Sequence, residues 1–233
     1  MIRQHDFNAS WWGAPIGIVA DPEALLGASP DEVQAACAPF EWVELRLLAD
    51  AVVDHVALLK RGFFNVDTQI RFRVGLPRLR TTPSLERLQV RFAHEDPFEV
   101  EAADILPLGS ERYSVLPGAT EDRMRERYVL WSQLLLRESP EHCLQVHMDG
   151  AVQGHFLSRS QNGRLNLTLA MLHPEATVSG MLLFHKALLA YASRDERVGH
   201  ASFRATNTAV LNIYSSLGAR FLTPELFWFR LRG

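Results

Sequence analysis

The sequence predicts an α/β protein, more narrowly an α+β fold on a mixed sheet, with a smaller α/β half-domain at its N-terminal end. Three alternating apolar runs, at 142–148, 151–159 and 164–172, are separated by Asp149-Gly150 and by Gln161-Asn162-Gly163, as in an antiparallel meander. Helical and extended runs then alternate to residue 231. At 233 residues, 47% hydrophobic and 22% charged, the chain can bury a substantial core.

Residues 1–75 are the predicted N-terminal half-domain. The patterns place its strands at 16–20, 42–48 and 63–74, and its helices at 29–38 and 50–62. A serine or aspartate cap opens the first of these helices, and Gly62 ends the second. We expect Trp11 and Trp12 to belong to the core, with an exposed patch as the alternative.

Residues 76–98 are the predicted linker, because prolines, mixed charge and weak periodicity coincide there. Within it, 85–93 is compatible with a strand or an edge element. The arginines between 71 and 91 are interleaved with apolar residues. This pattern predicts a solvated face, with an anion site as the alternative.

Residues 99–233 are the predicted C-terminal domain. Around the meander it has predicted helices at 121–139 and 179–195, a strand at 200–206, a short helix that ends at Gly218, and a closing strand at 225–231. The closing strand either pairs within the domain or adds across a homodimer. The segments 58–72 and 214–229 share a helix end, a glycine, aromatic residues and a strand, which a partial duplication or coincidence explains.

Composition excludes several classes of function. The net charge of −3 gives no basic field for nucleic acid or an anionic membrane. Two cysteines are too few for a disulfide framework or a Cys-rich zinc site, and the histidines lack metal-ligand spacing, so no metal is expected. The start of the chain lacks a signal-peptide core, and no apolar run reaches membrane-span length. We expect a cytoplasmic protein.

The element order from 121 onward and the spacing of Asn207, Val210, Tyr214 and Gly218 resemble the GNAT superfamily of acyl-CoA-dependent N-acyltransferases. Val210 stands where the family usually has alanine. The segments 10–21 and 58–72 are similar to the TDP-fucosamine acetyltransferase group. The resemblance implies a GNAT fold in the C-terminal domain and a partial GNAT-like domain before it.

The resemblance gives the last helix a catalytic role. When an amine attacks a thioester, the tetrahedral intermediate expels a CoA thiolate, which Tyr214 would protonate as general acid. The alternative is a packed tyrosine whose hydroxyl bonds to the backbone. Asn207 is expected to cap the helix and, by the resemblance, to contact the CoA arm. Gly218 is expected to be a left-handed helix C-cap.

The expected pyrophosphate loop, 173–182, departs from the family pattern. The usual arginine is missing, and only Gly180 remains of the glycines, with β-branched residues at 177 and 178. The amides of Ser179, Gly180 and Met181 would still bind phosphate at the start of the following helix. Three alternatives stay open: weaker CoA binding, a donor carried on an acyl carrier protein, or a vestigial site.

The resemblance implies that the end of the third meander strand, Ala170-Met171-Leu172, holds the acyl group through its backbone, where an amide would stabilise the oxyanion. Glu111, His155 and His173 are candidate general bases, as is a chain of water molecules. The loop 109–118 is expected to line the acceptor pocket.

Together these features predict an enzyme, an N-acyltransferase that uses acetyl-CoA or another acyl-CoA and acts on the primary amine of a small molecule by direct transfer. A nucleotide-linked amino sugar is the acceptor that the resemblance suggests, and a biosynthetic amine or amino-acid derivative is an equal alternative. A GNAT-fold module that binds without catalysing is the other reading.

Overall fold

The computed structural model describes residues 1–106, 111–161 and 164–232. The chain forms two compact units. The first comprises 1–70, 112–119 and 223–233, and the second comprises 71–111 and 120–222. In chain order the elements are β1 (Ile2–Gln4), α1 (Asp6–Trp12), β2 (Ile16–Val19), α2 (Pro22–Gly27), α3 (Pro30–Cys37), β3 (Trp42–Leu48), α4 (His55–Lys60), β4 (Phe64–Gly75), β5 (Leu88–Phe92), α5 (Glu121–Glu138), β6 (Cys143–Met148), β7 (Ala151–Gln161), β8 (Arg164–Leu172), α6 (Gly180–Ala192), β9 (Val198–Arg204), α7 (Thr208–Ser216), β10 (Arg220–Phe221) and β11 (Glu225–Leu231).

The first unit is built on strands from both ends of the chain. β1 pairs with β2 in antiparallel fashion, and β2 runs parallel to β3. β11 then lies between β3 and the first part of β4, antiparallel to both. The helices α2, α3 and α4 contribute Leu25, Val33 and Leu58 to a core that also holds Val43 and Trp228. Burial of these apolar groups is the main source of the unit's stability.

A buried carboxylate ties residues 112–119 to the first unit. Glu44 of β3 is fully buried and accepts hydrogen bonds from Arg46 and from the hydroxyl of Tyr113. Burial alone would raise the pKa of Glu44, but the guanidiniums of Arg112 and Arg46 outweigh it and hold that pKa below its usual value. The Tyr113 ring also stacks on Phe229.

The second unit is a mixed sheet with helices on both faces. Its strand order is β4, β9, β8, β7, β6, β5, and β10 pairs with β4. The meander β6–β7–β8 is antiparallel, whereas β8 and β9 are parallel. Leu135 of α5 packs with Cys143, Leu157 and Leu169 on one face, the α5 face. Phe184 of α6 packs edge-on against Phe156 on the opposite face, the α6 face.

Most predicted elements are present, and the predicted fold class is confirmed. The strands predicted at 42–48, 164–172 and 225–231 coincide with β3, β8 and β11. The helix predicted at 50–62 begins only at His55, because the side chain of Asp54 accepts from the amides of Val56 and Ala57 as its N-cap. The predictions missed β1, α1 and α2. The Asn162-Gly163 turn lies outside the described residues, as do residues 109–110 of the expected acceptor loop.

The compact units do not coincide with the sequence-based boundaries at 75 and 99. β11 belongs with the N-terminal residues because both of its edges pair there, with β3 and β4. Both edges of this strand are therefore paired within the chain, and a homodimer stays a prediction. The segment predicted as linker includes β5, which pairs with β6 along its length. Trp11 and Trp12 are core residues, as expected.

No helix in the described part of the chain combines the length and the apolar character needed to cross a membrane.

Candidate active site

A β-bulge in β8 separates the half of this strand that pairs with β9 from the half that does not. Leu157 of β7 pairs with Leu169, but the next pair joins Arg159 to Asn166, so β8 carries the extra residue. On its other edge, β8 pairs with β9 through Leu165 with Gly199 and Asn166 with His200. No pairing with β9 is found from 167 to 172 among the described residues. The parallel strands therefore part beyond the bulge, which leaves backbone groups of β8 free to meet a ligand.

Near this opening, the two faces of the sheet carry different kinds of side chain. Successive side chains of a strand point to opposite faces. Phe203 of β9 contacts Tyr214 and therefore lies on the α6 face. His200 is paired with Asn166 and lies on the α5 face. Met171, near the end of β8, packs in the α5-face core beside Leu169 and is opposite His155 in the register with β7.

Tyr214 lies in an aromatic cluster on the α6 face. Its ring centroid is 4.0 Å from that of Phe72, 5.5 Å from that of Phe184 and 6.4 Å from that of Phe203. Its hydroxyl makes no hydrogen bond to any described residue. Burial raises the pKa of Tyr214 well above its ordinary value, so the group remains a neutral phenol with a proton to donate.

Tyr191 of α6, in the same unit, is a buried tyrosine whose hydroxyl has backbone partners. Its hydroxyl lies 3.0 Å from the carbonyl oxygen of His142 and 3.1 Å from that of Phe156, so it is positioned to donate to either. Buried tyrosine hydroxyls usually have such a partner. The absence of one among the described residues sets Tyr214 apart, and its role as general acid stays a prediction.

The ends of α7 have the expected caps. The Asn207 side chain accepts from the amide of Val210 at 3.1 Å. Gly218 has φ of +75°, a left-handed conformation, and the amide of Ala219 donates to the carbonyl of Tyr214. Both predictions about the helix termini are confirmed, while contact of Asn207 with CoA stays a prediction.

The start of α6 has free amide donors. The amide of Leu182 bonds to the Ser179 carbonyl, but those of Ser179, Gly180 and Met181 have no acceptor among the described residues. The side chain of Ser179, at the N-cap position, makes no capping hydrogen bond. A Cβ on Gly180 would lie 3.4 Å from Ile213 and 3.5 Å from Leu172. The helix therefore begins beside the end of β8 and beside α7, where a bound anion would meet its dipole.

The loop before α6 is held by a residue that the sequence analysis missed. Gln153 of β7 is buried, and its Oε1 accepts from the amides of Thr177 and Val178 at 2.8 and 3.3 Å and from the Thr177 hydroxyl. These two amides are therefore not free to bind phosphate. The pocket beside this loop, of about 480 Å³, is lined in part by Asp149 and Glu175, whose charge disfavours an anion.

His155 ends a buried polar chain on the α5 face. His147 Nε2 lies 3.1 Å from Gln145 Oε1, and Gln145 Nε2 lies 3.4 Å from His155 Nδ1. The Nε2 of His155 is buried and has no hydrogen-bond partner within the described residues. The pKa of His155 is lowered to about 4, mainly because the ring is buried. The charge of Asp104 acts to raise this pKa, and His173 lowers it further. At neutral pH it is therefore an uncharged and weak base.

The other candidate bases lie in ion pairs or hydrogen bonds. Glu111 Oε1 accepts from the Tyr128 hydroxyl of α5 at 2.7 Å. His173 Nε2 lies 3.4 Å from Asp104 Oδ1. Tyr128 packs against the α5-face core, so Glu111 and His155 lie on the side of the sheet opposite Tyr214. No cluster of three or more potential metal ligands occurs in the described ranges.

The fold of the chain is found in solved structures at low sequence identity. A GCN5-related N-acetyltransferase from Sphaerobacter thermophilus superposes with a TM-score of 0.54 at 16% identity, over 82% of this chain and 60% of that protein. A tandem GNAT protein from the clavulanic acid biosynthesis pathway gives 0.54 at 13% identity, over 95% and 76%. The chain has the GNAT fold.

A third structure with the GNAT fold is named a glucosamine N-acetyltransferase region of a fungal multi-domain GH3 β-N-acetylglucosaminidase. It has a TM-score of 0.58 at 10% identity, over 93% of this chain and 30% of that protein. The sequence matches no protein-family profile and no curated protein. These neighbours establish the GNAT fold, and the likeness to the TDP-fucosamine acetyltransferase group stays a prediction.

Proposed function

We propose that the protein is an N-acyltransferase that moves an acyl group from acyl-CoA, most simply acetyl-CoA, to the primary amine of a small molecule. The observation that carries the proposal is the opening between β8 and β9, with the unpartnered hydroxyl of Tyr214 on its α6 face. In the GNAT fold such an opening is where a thioester would lie, and the residues found here fit that group.

The chemistry assigned to the residues follows from their positions. Acyl-CoA supplies an activated carbonyl and a thiolate leaving group. A backbone amide around Met171 and Leu172, at the end of β8 that does not pair with β9, would donate to the carbonyl oxygen as negative charge develops on it. The amine nitrogen forms a bond to the carbonyl carbon, and the carbon–sulfur bond breaks. Tyr214 donates its proton to the departing sulfur, and the amine loses a proton to a base on the α5 face.

Two groups are proposed for that base. Glu111 is a carboxylate held by Tyr128, and His155 is a neutral imidazole with a free Nε2. The pKa of His155, about 4, makes it a weak base, and Glu111 lies in the expected acceptor loop. We therefore assign the base to Glu111, acting directly or through water, and a positioning role in the polar chain to His155.

The phosphates of CoA are proposed to bind at the start of α6, on the amides of Ser179, Gly180 and Met181. Because Gln153 occupies the amides of Thr177 and Val178, this site has fewer donors than the loop would otherwise offer. That observation favours a second candidate: a donor held by an acyl carrier protein, which needs no pyrophosphate site. The acceptor is proposed to be an amino sugar or another small amine.

Isothermal titration with CoA, acetyl-CoA and pantetheine tests the proposal. Micromolar binding of both CoA species, with pantetheine weaker, supports an acyl-CoA donor. Equal weak binding of all three, together with acyl transfer from a loaded carrier protein, supports the second candidate. No binding and no transfer at about 1 mM would leave a binding module without catalysis and would contradict both candidates.

A further inference from the structure

Five basic side chains gather on the α5 face of the sheet in the second unit. Together they form a surface, the cationic face, made of Arg71 and Arg73 of β4, Arg164 of β8, His200 of β9 and Arg220 of β10. Arg164 donates to His200 Nδ1 at 2.8 Å, and Arg220 pairs directly with Arg73. The charges of Arg164, Arg73 and Arg71 all act on His200, so the four groups lie close together.

The cationic face carries excess positive charge and is largely open to solvent. None of Arg71, Arg73, Arg164 and Arg220 forms an ion pair with a carboxylate in the described parts of the chain. Arg73, Arg164 and Arg220 are exposed. The chain as a whole is acidic, with a net charge of −3, so this concentration of positive charge is local. Like charges held this close repel each other, and a bound anion would relieve that repulsion.

The position of the cationic face relates it to the opening between β8 and β9. His200 and Asn166 are the last pair before these strands part. Arg71 and Arg73 lie on either side of Phe72, whose ring contacts Tyr214, so their side chains point to the opposite side of the sheet. An anion on this face would therefore approach the opening from the side opposite Tyr214, the side on which the base for the attacking amine is proposed.

We propose that the cationic face binds a phosphate group of the amine acceptor and so selects phosphorylated amines as substrates. The inference rests on the proposed function, because it assigns the acceptor of that same site. Arginine suits phosphate because its planar fork of N–H donors makes two parallel hydrogen bonds to phosphate oxygens. A face with four such forks favours a phosphate or diphosphate over a single carboxylate.

His200 offers a direct reporter for the test. Burial, and after it the charges of Arg164, Arg73 and Arg71, lower the pKa of His200, and an anion on the face would raise it. The protein is labelled with ¹³C in its histidine rings, and the His200 signal is assigned with His200→Gln. Inorganic pyrophosphate is then titrated with and without CoA, so that binding at the start of α6 is separated from binding here. Acetate is the carboxylate probe.

The expected result is a saturable shift of the His200 signal with pyrophosphate that persists when CoA is bound, and a much weaker response to acetate. The double variant Arg71→Gln/Arg73→Gln should bind pyrophosphate about 100-fold more weakly, since each charge-assisted hydrogen bond lost costs about tenfold. Arg137→Gln, an exposed arginine on α5, is the matched control and should behave as wild type.

The outcomes separate this proposal from the proposed function. If CoA binds but about 10 mM pyrophosphate leaves His200 unmoved, the anion site is overturned and the acyltransferase proposal stands. A response to acetate equal to that to pyrophosphate overturns the phosphate preference. If pyrophosphate binds but neither CoA nor a loaded carrier protein does, the anion site stands and its role in acceptor selection is overturned.

Discussion

The ring of Tyr214 lies 4.0 Å, between centroids, from the ring of Phe72, while its hydroxyl has no hydrogen-bond partner in the described parts of the chain. The contact with Phe72 holds the Tyr214 ring in place. Its hydroxyl is a hydrogen-bond donor that has no acceptor among the described residues. The hydroxyl oxygen is not among the fully buried unpartnered atoms of the described residues, so a ligand that enters the opening could accept its proton.

Replacing Tyr214 should therefore separate catalysis from stability. Tyr214→Phe is expected to lower kcat by about 10²–10⁴-fold, because it removes the proton donor for the leaving thiolate, and to change the melting temperature little. Tyr191→Phe is the matched control. It removes hydrogen bonds to backbone carbonyls at 3.0 and 3.1 Å, so it should cost about 1–2 kcal/mol of stability and preserve kcat. Steady-state kinetics and thermal unfolding of both variants check this, and a fully active Tyr214→Phe protein would remove the general acid from the mechanism.

The amide of Gly180 can be deleted without disturbing α6. Proline suits the first position of a helix, and Ser179 before it already has ψ of 145°, as a residue before proline requires. Gly180→Pro should weaken CoA binding by about tenfold through the loss of one donor to phosphate, and should leave pantetheine binding unchanged. Gly180→Ala keeps the amide and adds a Cβ in ordinary contact with Ile213 and Leu172, so it should bind CoA as wild type does. Calorimetry would contradict the phosphate site if both variants bound CoA equally well.

Gln153 should determine the conformation of the loop before α6. Gln153→Met keeps the shape of the side chain but leaves the amides of Thr177 and Val178 without an acceptor, which should cost about 1–3 kcal/mol of stability. Gln133→Met, at an exposed glutamine of α5, is the matched control and should change the stability little. Urea unfolding measures the difference. Equal unfolding free energies for the Met variant and wild type would show that these hydrogen bonds do not hold the loop.

The sequence predicts those parts of the site that depend on local structure. Asn207 and Gly218 cap one short helix, and their roles follow from residue type and spacing within a few positions. The bulge in β8 depends instead on its register with β7, and nothing in the run 164–172 marks it. Gln153 contacts a loop 24 residues away, which periodicity alone does not reveal. The pairing of β11 with β3 and β4 of the first unit was likewise not predictable, because the aromatic residues of β11 suit any buried strand.

His155 should make stability depend on pH. Its folded pKa of about 4 lies below the value near 6.5 expected in the unfolded chain, so only the unfolded state gains a proton between these values. The stabilisation is complete above pH 6.5 and is lost as the pH falls toward 4, with about 2 kcal/mol lost between pH 8 and pH 5. His155→Gln keeps a polar partner for Gln145 and has no such proton to bind. The free energies of unfolding of wild type and variant, measured by urea at pH 8, 6.5 and 5, should therefore converge as the pH falls. Parallel curves would show that His155 is not held neutral by burial, and would restore it as a candidate for the general base.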